Sequence, residues 1–456
     1  MAKEKIKDGV HQMSEYKGYV WPEDPKVLEH LKYYSGLKLG FMMHFAPVTQ
    51  IGTYESWPLV DSHWAWCQED VDWTDIETFK KQYWELNKTF NPIRFNAEKI
   101  ASLAEECGFR YLLFTTKHHD GFCMYDSKYS DYKITAEDCP YHSAEKPDIV
   151  RALYEAFRKR DMAIGTYFSK PDWHSEYYWV PEFGPAKNNN ANYDPKEKPE
   201  IWEKYIEYVY NQIKELCSNY GKIDCLWLDG GQVQPSINNQ DIRLSELVKE
   251  LRDKYQPHLV VVDRAVTGEN ENILTPEQEI PNEKIPVPWE TCMTLQDHFS
   301  YHYSSPCKSA RDVTHKFIEI LSKGGSLALN VTPQPNGDLP IDAVHTLRQF
   351  GRFVKSNAEA IYDSGISPCP SWRHLRYTRK DSNDYAFYLY KEHPKLPARL
   401  CLYFDENRRP TSVHCLRTGQ DLPFKVVSHN TIDADPSDID MFYAEYADCF
   451  RISYED

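Results

Sequence analysis

The stretch Ile223-Asp-Cys-Leu-Trp-Leu-Asp229-Gly-Gly231 decides how the chain is read. A short apolar run ends abruptly in a carboxylate, and two glycines follow it. The run predicts a buried strand over Ile223–Leu228. The glycines allow a sharp exit that holds Asp229 at the strand's end. Trp227, two residues earlier, falls on the same side of the pleat as Asp229. A turn-forming aspartate before glycine is the bland alternative; what raises Asp229 above it is the company it keeps along the chain.

Working outward, the same grammar repeats. Apolar runs predict strands at Leu37–Pro47 ending near His44, Arg110–Thr116, Ala163–Phe168, Leu259–Asp263, Pro286–Glu290 and Ser326–Val331. Helical periodicity predicts helices at Ala97–Cys107, Asp148–Arg160, Ile201–Cys217, Ile242–Tyr255, Arg311–Lys323 and Ile341–Asn357. Strands alternating with helices call for a parallel sheet covered by helices, and a count close to eight, with the seventh poorly defined, favours a (β/α) barrel of the TIM type. No glycine-rich dinucleotide fingerprint or phosphate loop follows the first strand, which lowers an open nucleotide-binding sheet. Val48 to about Asn91 is too long for a simple connection and is expected to be a functional excursion. After Gly365 the pattern changes to short strands separated by turns. The expected organisation is therefore a catalytic barrel with its lead-in over 1–364 and an antiparallel, sandwich-like β domain over 365–456.

Composition narrows the function. The 456 residues carry 69 Asp+Glu against 53 Lys+Arg, a net charge of -16, which argues against a nucleic-acid partner. No segment has the apolar length of a membrane span. The 12 Cys are scattered, without a CxxC pair or dense spacing, and read as buried free thiols. They favour a cytoplasmic location if the chain is complete; a periplasmic or secreted one follows if a signal peptide has been removed. Aromatic residues make up 14%, with 32 Tyr and 12 Trp, as sugar stacking would require but ordinary packing also explains. Oligomeric state is not legible.

Polar side chains recur where strands are expected to stop: His44, His118 and His119, Tyr167, Asp229, Arg264 and Glu290. In a barrel these positions converge at the C-terminal mouth. Asp229 is the candidate nucleophile, and retaining glycoside hydrolysis needs a second carboxyl as acid/base. Glu290, in VPWETCM, is the first choice because it follows an expected strand and Trp289, whose burial would raise its pKa. Glu277, in LTPEQEIP, and Glu55, in GTYESW, are the alternatives. A metal site built from His44, His118, His119 and Asp229 is disfavoured, because adjacent strand residues face opposite ways and no ligand spacing is recognisable. Neither a metal nor a cofactor is expected.

Four blocks then resemble the retaining α-L-fucosidases of glycoside hydrolase family 29: GFMMHFAP from Gly40, FTTKHHDGF from Phe114, LWLDGG from Leu226 and PWETCM from Pro288. The resemblance covers most of positions 36–357. It implies a catalytic barrel followed by a β-sandwich-like domain, no cofactor, and double displacement on a terminal fucoside of an oligosaccharide or glycoconjugate. Position by position, it implies active-site contacts from His44, His118, His119, Tyr167 and Trp227; Glu55 and Trp57 are further candidates for substrate binding. It further implies Asp229 as nucleophile, Arg264 beside the carboxylates and Glu290 as acid/base. Phe45-Ala46-Pro47 and His298-Phe299-Ser300-Tyr301-His302 depart from the family's common patterns, a tryptophan and glycine after the first histidine and a Ser-Trp-Gly-Tyr run. An L-fucose-like sugar such as a β-D-galactoside, or a catalytically decayed glycan-binding protein, is the alternative. The insertion around Trp57, Trp64 and Trp66 is expected to form a rim that selects the aglycone.

Overall fold

A computed structural model describes residues 13–60, 67 and 76–455. Trp64 and Trp66 of the expected rim lie outside the described residues.

The first body is a curled parallel sheet with helices outside it. In chain order its elements are α1 (Pro25–Gly36), β1 (Leu39–Met43), α2 (Ile76–Trp84), α3 (Ala97–Glu106), β2 (Tyr111–Lys117), α4 (Ile149–Arg158), β3 (Ala163–Ser169) and α5 (Pro199–Asn219). Then come β4 (Cys225–Asp229), α6 (Leu244–Lys254), β5 (Val260–Asp263), β6 (Glu290–Thr294), α7 (Ala310–Ser322), β7 (Ser326–Asn330), α8 (Ile341–Ser356) and α9 (Ala358–Ile361). Every residue of the seven strands is buried, as a parallel sheet flanked by helices requires. Several helix starts are capped by a side chain. Asn96 accepts from the Lys99 amide at the head of α3, Asp148 from that of Arg151 at α4, and Ser309 from that of Asp312 at α7.

The strand order is β5-β4-β3-β2-β1-β7-β6, so seven regular strands stand where about eight were expected. An irregular segment bridges the two edges. On the β5 side the Asn272 amide donates to Val261 O and the Asp263 amide to Asn270 O. On the β6 side the Leu274 amide donates to Pro288 O, that of Glu290 to Leu274 O, and that of Gln278 to Cys292 O. Residues 270–278 thus stand in for an eighth strand. The expected strand at Pro286–Glu290 is displaced: β6 begins at Glu290 rather than ending there. Inside the curl pack Met42, Tyr111, Leu113, Tyr167, Trp227, Val262 and Ala328, with Leu31 and Tyr34 of α1 plugging the N-terminal end.

The remaining strands are antiparallel: β8 (Gly365–Ile366), β9 (Leu375–Lys380), β10 (Asn383–Leu389), β11 (Leu400–Tyr403), β12 (Pro410–Cys415), β13 (Gln420–Asp421), β14 (Phe424–Ser428), β15 (Thr431–Ala434) and β16 (Ala447–Tyr454). They form a six-stranded sheet, β13-β12-β16-β10-β9-β8, and a three-stranded sheet, β11-β15-β14. Tyr377, Ala386, Val413, Phe450 and Ile452 of the larger sheet share one core with Leu402 and Ile432 of the smaller. The other face of the larger sheet, through Tyr385, Phe387 and Cys449, joins the core of the first body. Arg376 pairs with Glu319 of α7 across this junction. None of the described cysteines forms a disulfide, and most are buried.

Candidate active site

β4 delivers Asp229 to the C-terminal end of the sheet. Gly230 turns the chain away at φ +90°, where a Cβ would stand 2.2 Å from Pro171 Cδ, so only glycine permits the exit. The carboxylate is held on both oxygens. Oδ1 accepts from Arg264 Nη1 at 3.0 Å and from the Gly230 amide at 2.8 Å. Oδ2 accepts the Tyr167 hydroxyl at 2.6 Å, with His119 Nε2 at 3.7 Å. Burial opposes its ionisation, but the Arg264 guanidinium, followed by His119 and the Tyr167 hydrogen bond, holds the carboxyl well below the usual range.

Arg264 follows β5 directly and lies buried over the Trp227 ring, 5.4 Å from its centroid. Its second terminal nitrogen, Nη2, binds Glu277. One guanidinium therefore spans two carboxylates, one from β4 and one from the bridging segment. Asp263, one residue before Arg264, takes no part in this pair; Lys170 Nζ holds it at 2.5 Å.

His44 follows β1. Asn330 at the end of β7 donates through Nδ2 to Phe299 O, so its Oδ1 is the acceptor for both the His44 amide and Nδ1. That assigns the ring proton to Nδ1 and leaves Nε2 as an acceptor. Burial lowers the His44 pKa to about 3, with His118 adding to the effect, so the ring is neutral. His118 and His119 lie past the end of β2, where strand alternation no longer applies. Their rings are 4.4 Å apart, and His118 also lies parallel to Tyr167 at 5.9 Å. The expectation that adjacent histidines face opposite ways fails here for that reason. Their nitrogens and an Asp229 oxygen lie within 4.8 Å of one another. The nearby guanidinium already neutralises this carboxylate, so the donor set suits sugar hydroxyls better than a metal.

Tyr167 stacks on Trp227 at 5.2 Å and 21° beside Asp229. Trp57 meets the His119 ring at 5.2 Å and the Trp173 ring at 5.4 Å. Glu55, in a left-handed conformation at φ +44°, accepts the Ser300 amide at 2.6 Å. Burial pushes its carboxyl up to about 8, with Glu277 adding to the rise.

Glu290 is not brought to this end. It opens β6 opposite Ser326, the first residue of β7, and the hydroxyl of Tyr111, the first residue of β2, donates to it. It belongs to the closed, N-terminal end of the curl, separated from Asp229 by the Trp227 and Tyr167 layer. Its pKa is indeed raised, to about 7, by burial, although Tyr111 and Trp227 oppose the shift. The reading of Glu290 as acid/base placed the strand before it instead of after it, and with that correction Glu277 is the glutamate that shares Arg264 with Asp229 at the mouth.

Asn330, Ser300 and Trp173 were missed by the sequence reading. Asn330 obeys the strand-end rule that found the others, at the end of SLALN; the other two sit on loops without periodicity.

The family described as alpha-L-fucosidase matches residues 9–359, and the chain belongs to it. A putative alpha-L-fucosidase of Caenorhabditis elegans is 28% identical over 365 residues, covering 76% of this chain and 68% of the relative. The alpha-L-fucosidase isoenzyme 1 of Paenibacillus thiaminolyticus matches with a TM-score of 0.76 at 24% identity, over 94% of this chain and 100% of that one. A GH29 alpha-L-fucosidase of Bacteroides thetaiotaomicron, trapped as a covalent intermediate with 2-fluoro-fucosyl fluoride, matches with a TM-score of 0.76 at 20% identity over 100% of both chains.

Proposed function

We propose that this chain is a retaining exo-α-L-fucosidase, with Asp229 as nucleophile and Glu277 as acid/base. The observation that carries this is the single Arg264 guanidinium holding both carboxylates at the mouth of the curl. In the first step an Asp229 oxygen forms a bond to the anomeric carbon while the bond to the leaving oxygen breaks. Glu277 gives that oxygen its proton. In the second, Glu277 takes a proton from water, whose oxygen bonds to the anomeric carbon and frees Asp229. Arg264 and Tyr167 keep Asp229 ionised and aimed, which suits a nucleophile that must not hold a proton at neutral pH. His44 Nε2, His118 and His119 bind sugar hydroxyls, and Trp227 walls the pocket. Glu55, protonated near neutrality, donates to the sugar rather than serving as a second base.

The deciding experiment compares wild type and Asp229→Gly on an aryl α-L-fucoside with azide. Severe loss in the variant, with azide rescue giving a fucosyl azide of inverted configuration, supports the reading. Turnover of an aryl β-D-galactoside in place of every α-L-fucoside overturns the substrate; unchanged turnover in the variant overturns the nucleophile.

A further inference from the structure

A second histidine–carboxylate cluster lies outside the mouth. His30 comes from α1, Asp224 immediately precedes β4, and His258 lies just before β5. All three belong to the N-terminal edge of the sheet, the end opposite Asp229. His30 Nε2 is 3.1 Å from Asp224 Oδ1, and the two imidazoles stand 4.5 Å apart, steeply inclined. One donor atom from each residue falls within 4.8 Å of the other two. Neighbouring ligands of a tetrahedral zinc, with bonds of about 2.0–2.2 Å, are separated by only a little more than the closer of these spacings.

Two features point beyond a simple ion pair. His258 Nε2 is buried and has no hydrogen-bond partner, while the same ring donates to the Ile223 backbone. A histidine whose other nitrogen is fixed by a carbonyl presents a bare lone pair, the arrangement metal-binding histidines adopt. Asp224 is oriented in the same manner: Oδ2 accepts the Ile164 amide at 2.7 Å, leaving Oδ1 toward the histidines.

We infer that His30, Asp224 and His258 form a zinc-binding site at the closed end of the sheet, with a water completing the four ligands. Lys222 competes for it. Its ammonium lies 2.7 Å from Asp224 Oδ1, but the side chain is half exposed and can swing into solvent when a dication arrives. The bound ion would tie α1, whose Leu31 and Tyr34 plug the curl, to the starts of β4 and β5. Its place makes it a structural clasp, remote from the sugar.

The test uses the whole chain stripped with a chelator and titrated with zinc alone against a chromophoric competitor. Expected are one tight equivalent in the wild type, a zinc-dependent rise in melting temperature, and a visible tetrahedral spectrum with cobalt(II). His258→Gln, at a partly exposed ring, should lose all three while hydrolysing an aryl fucoside as before. Lys222→Gln should bind zinc more tightly, because the ammonium that competes for Asp224 is gone. Absence of a tight equivalent in the wild type overturns the site. Retention of that equivalent by His258→Gln does so as well, and loss of it in His119→Ala instead assigns the metal to the mouth.

Discussion

The Tyr167 hydroxyl donates to Asp229 Oδ2 across 2.6 Å while its ring lies flat on Trp227. One side chain thus couples the charge of the candidate nucleophile to the wall beneath the sugar. Tyr167→Phe keeps the stack and removes the hydrogen bond. A hydrogen bond to a charged group contributes about 1.5–3 kcal/mol, so kcat/KM should fall roughly ten- to a hundredfold. The acid limb of its pH profile should also move upward, because a donor that lowers the Asp229 pKa is gone. An unmoved limb would show that the phenol does not tune the carboxylate.

Glu277 and Glu290 separate cleanly by leaving group. Glu277→Gln should lose roughly 100- to 10,000-fold on a fucoside with a poor, alkyl leaving group and much less on dinitrophenyl fucoside. Glu290→Gln should depress both substrates alike, since its carboxyl meets Tyr111 at the opposite end of the sheet from Asp229. A steep leaving-group dependence in Glu290→Gln would return the acid/base role to that residue.

The buried glutamate at the mouth makes stability depend on pH. Glu55 has a folded pKa of about 8, well above its ordinary value of 4.5. Between those values the folded chain holds a proton that the unfolded chain has released, so Glu55 makes the fold lose stability as pH rises toward 8. His44, lowered to about 3, acts with the opposite sign at acid pH: the unfolded chain takes up its proton first, and stability is lost as pH falls below about 6.5. Melting temperature measured from pH 5 to 9 should therefore decline less in Glu55→Gln than in wild type. Parallel curves would mean that Glu55 is ionised in the native state.

Gly230→Ala tests the turn that aims Asp229. A Cβ there meets Pro171 at 2.2 Å and sits at a positive φ, so the variant should lose about 2–4 kcal/mol of stability. Denaturant unfolding measures this directly, and a neutral result would mean that the β4 exit can rearrange.

Much of the mouth could be read in the chain because regular strands announce their ends. Asp229, Tyr167, His44 and Arg264 each terminate or follow an apolar run, and the fold brings all four together. Glu277 was harder. It rides on residues 270–278, where Pro276 and polar neighbours erase any period of two, and pairing to two different strands replaces a ladder of its own. Glu290 misled for the converse reason. Pro286–Trp289 is partly apolar but forms only an isolated bridge, Trp289 to Leu274, and a shift of a few residues carried one carboxylate from the mouth to the opposite end. The histidine pair shows the same limit at smaller scale, since alternation holds only inside a strand.

That bridging segment also bears on how such proteins diversify. A carboxylate set into β4 cannot change its place in the chain without unpicking the pairs on either side. A carboxylate on the irregular segment between two edges is held by isolated bridges, Leu274 to Trp289 and Glu277 to Cys292, rather than by a continuous ladder. Insertions or deletions around Glu277 can be absorbed locally, and another glutamate can take up the proton-carrying task from a different loop. Across relatives, the attacking group should stay put while its partner wanders.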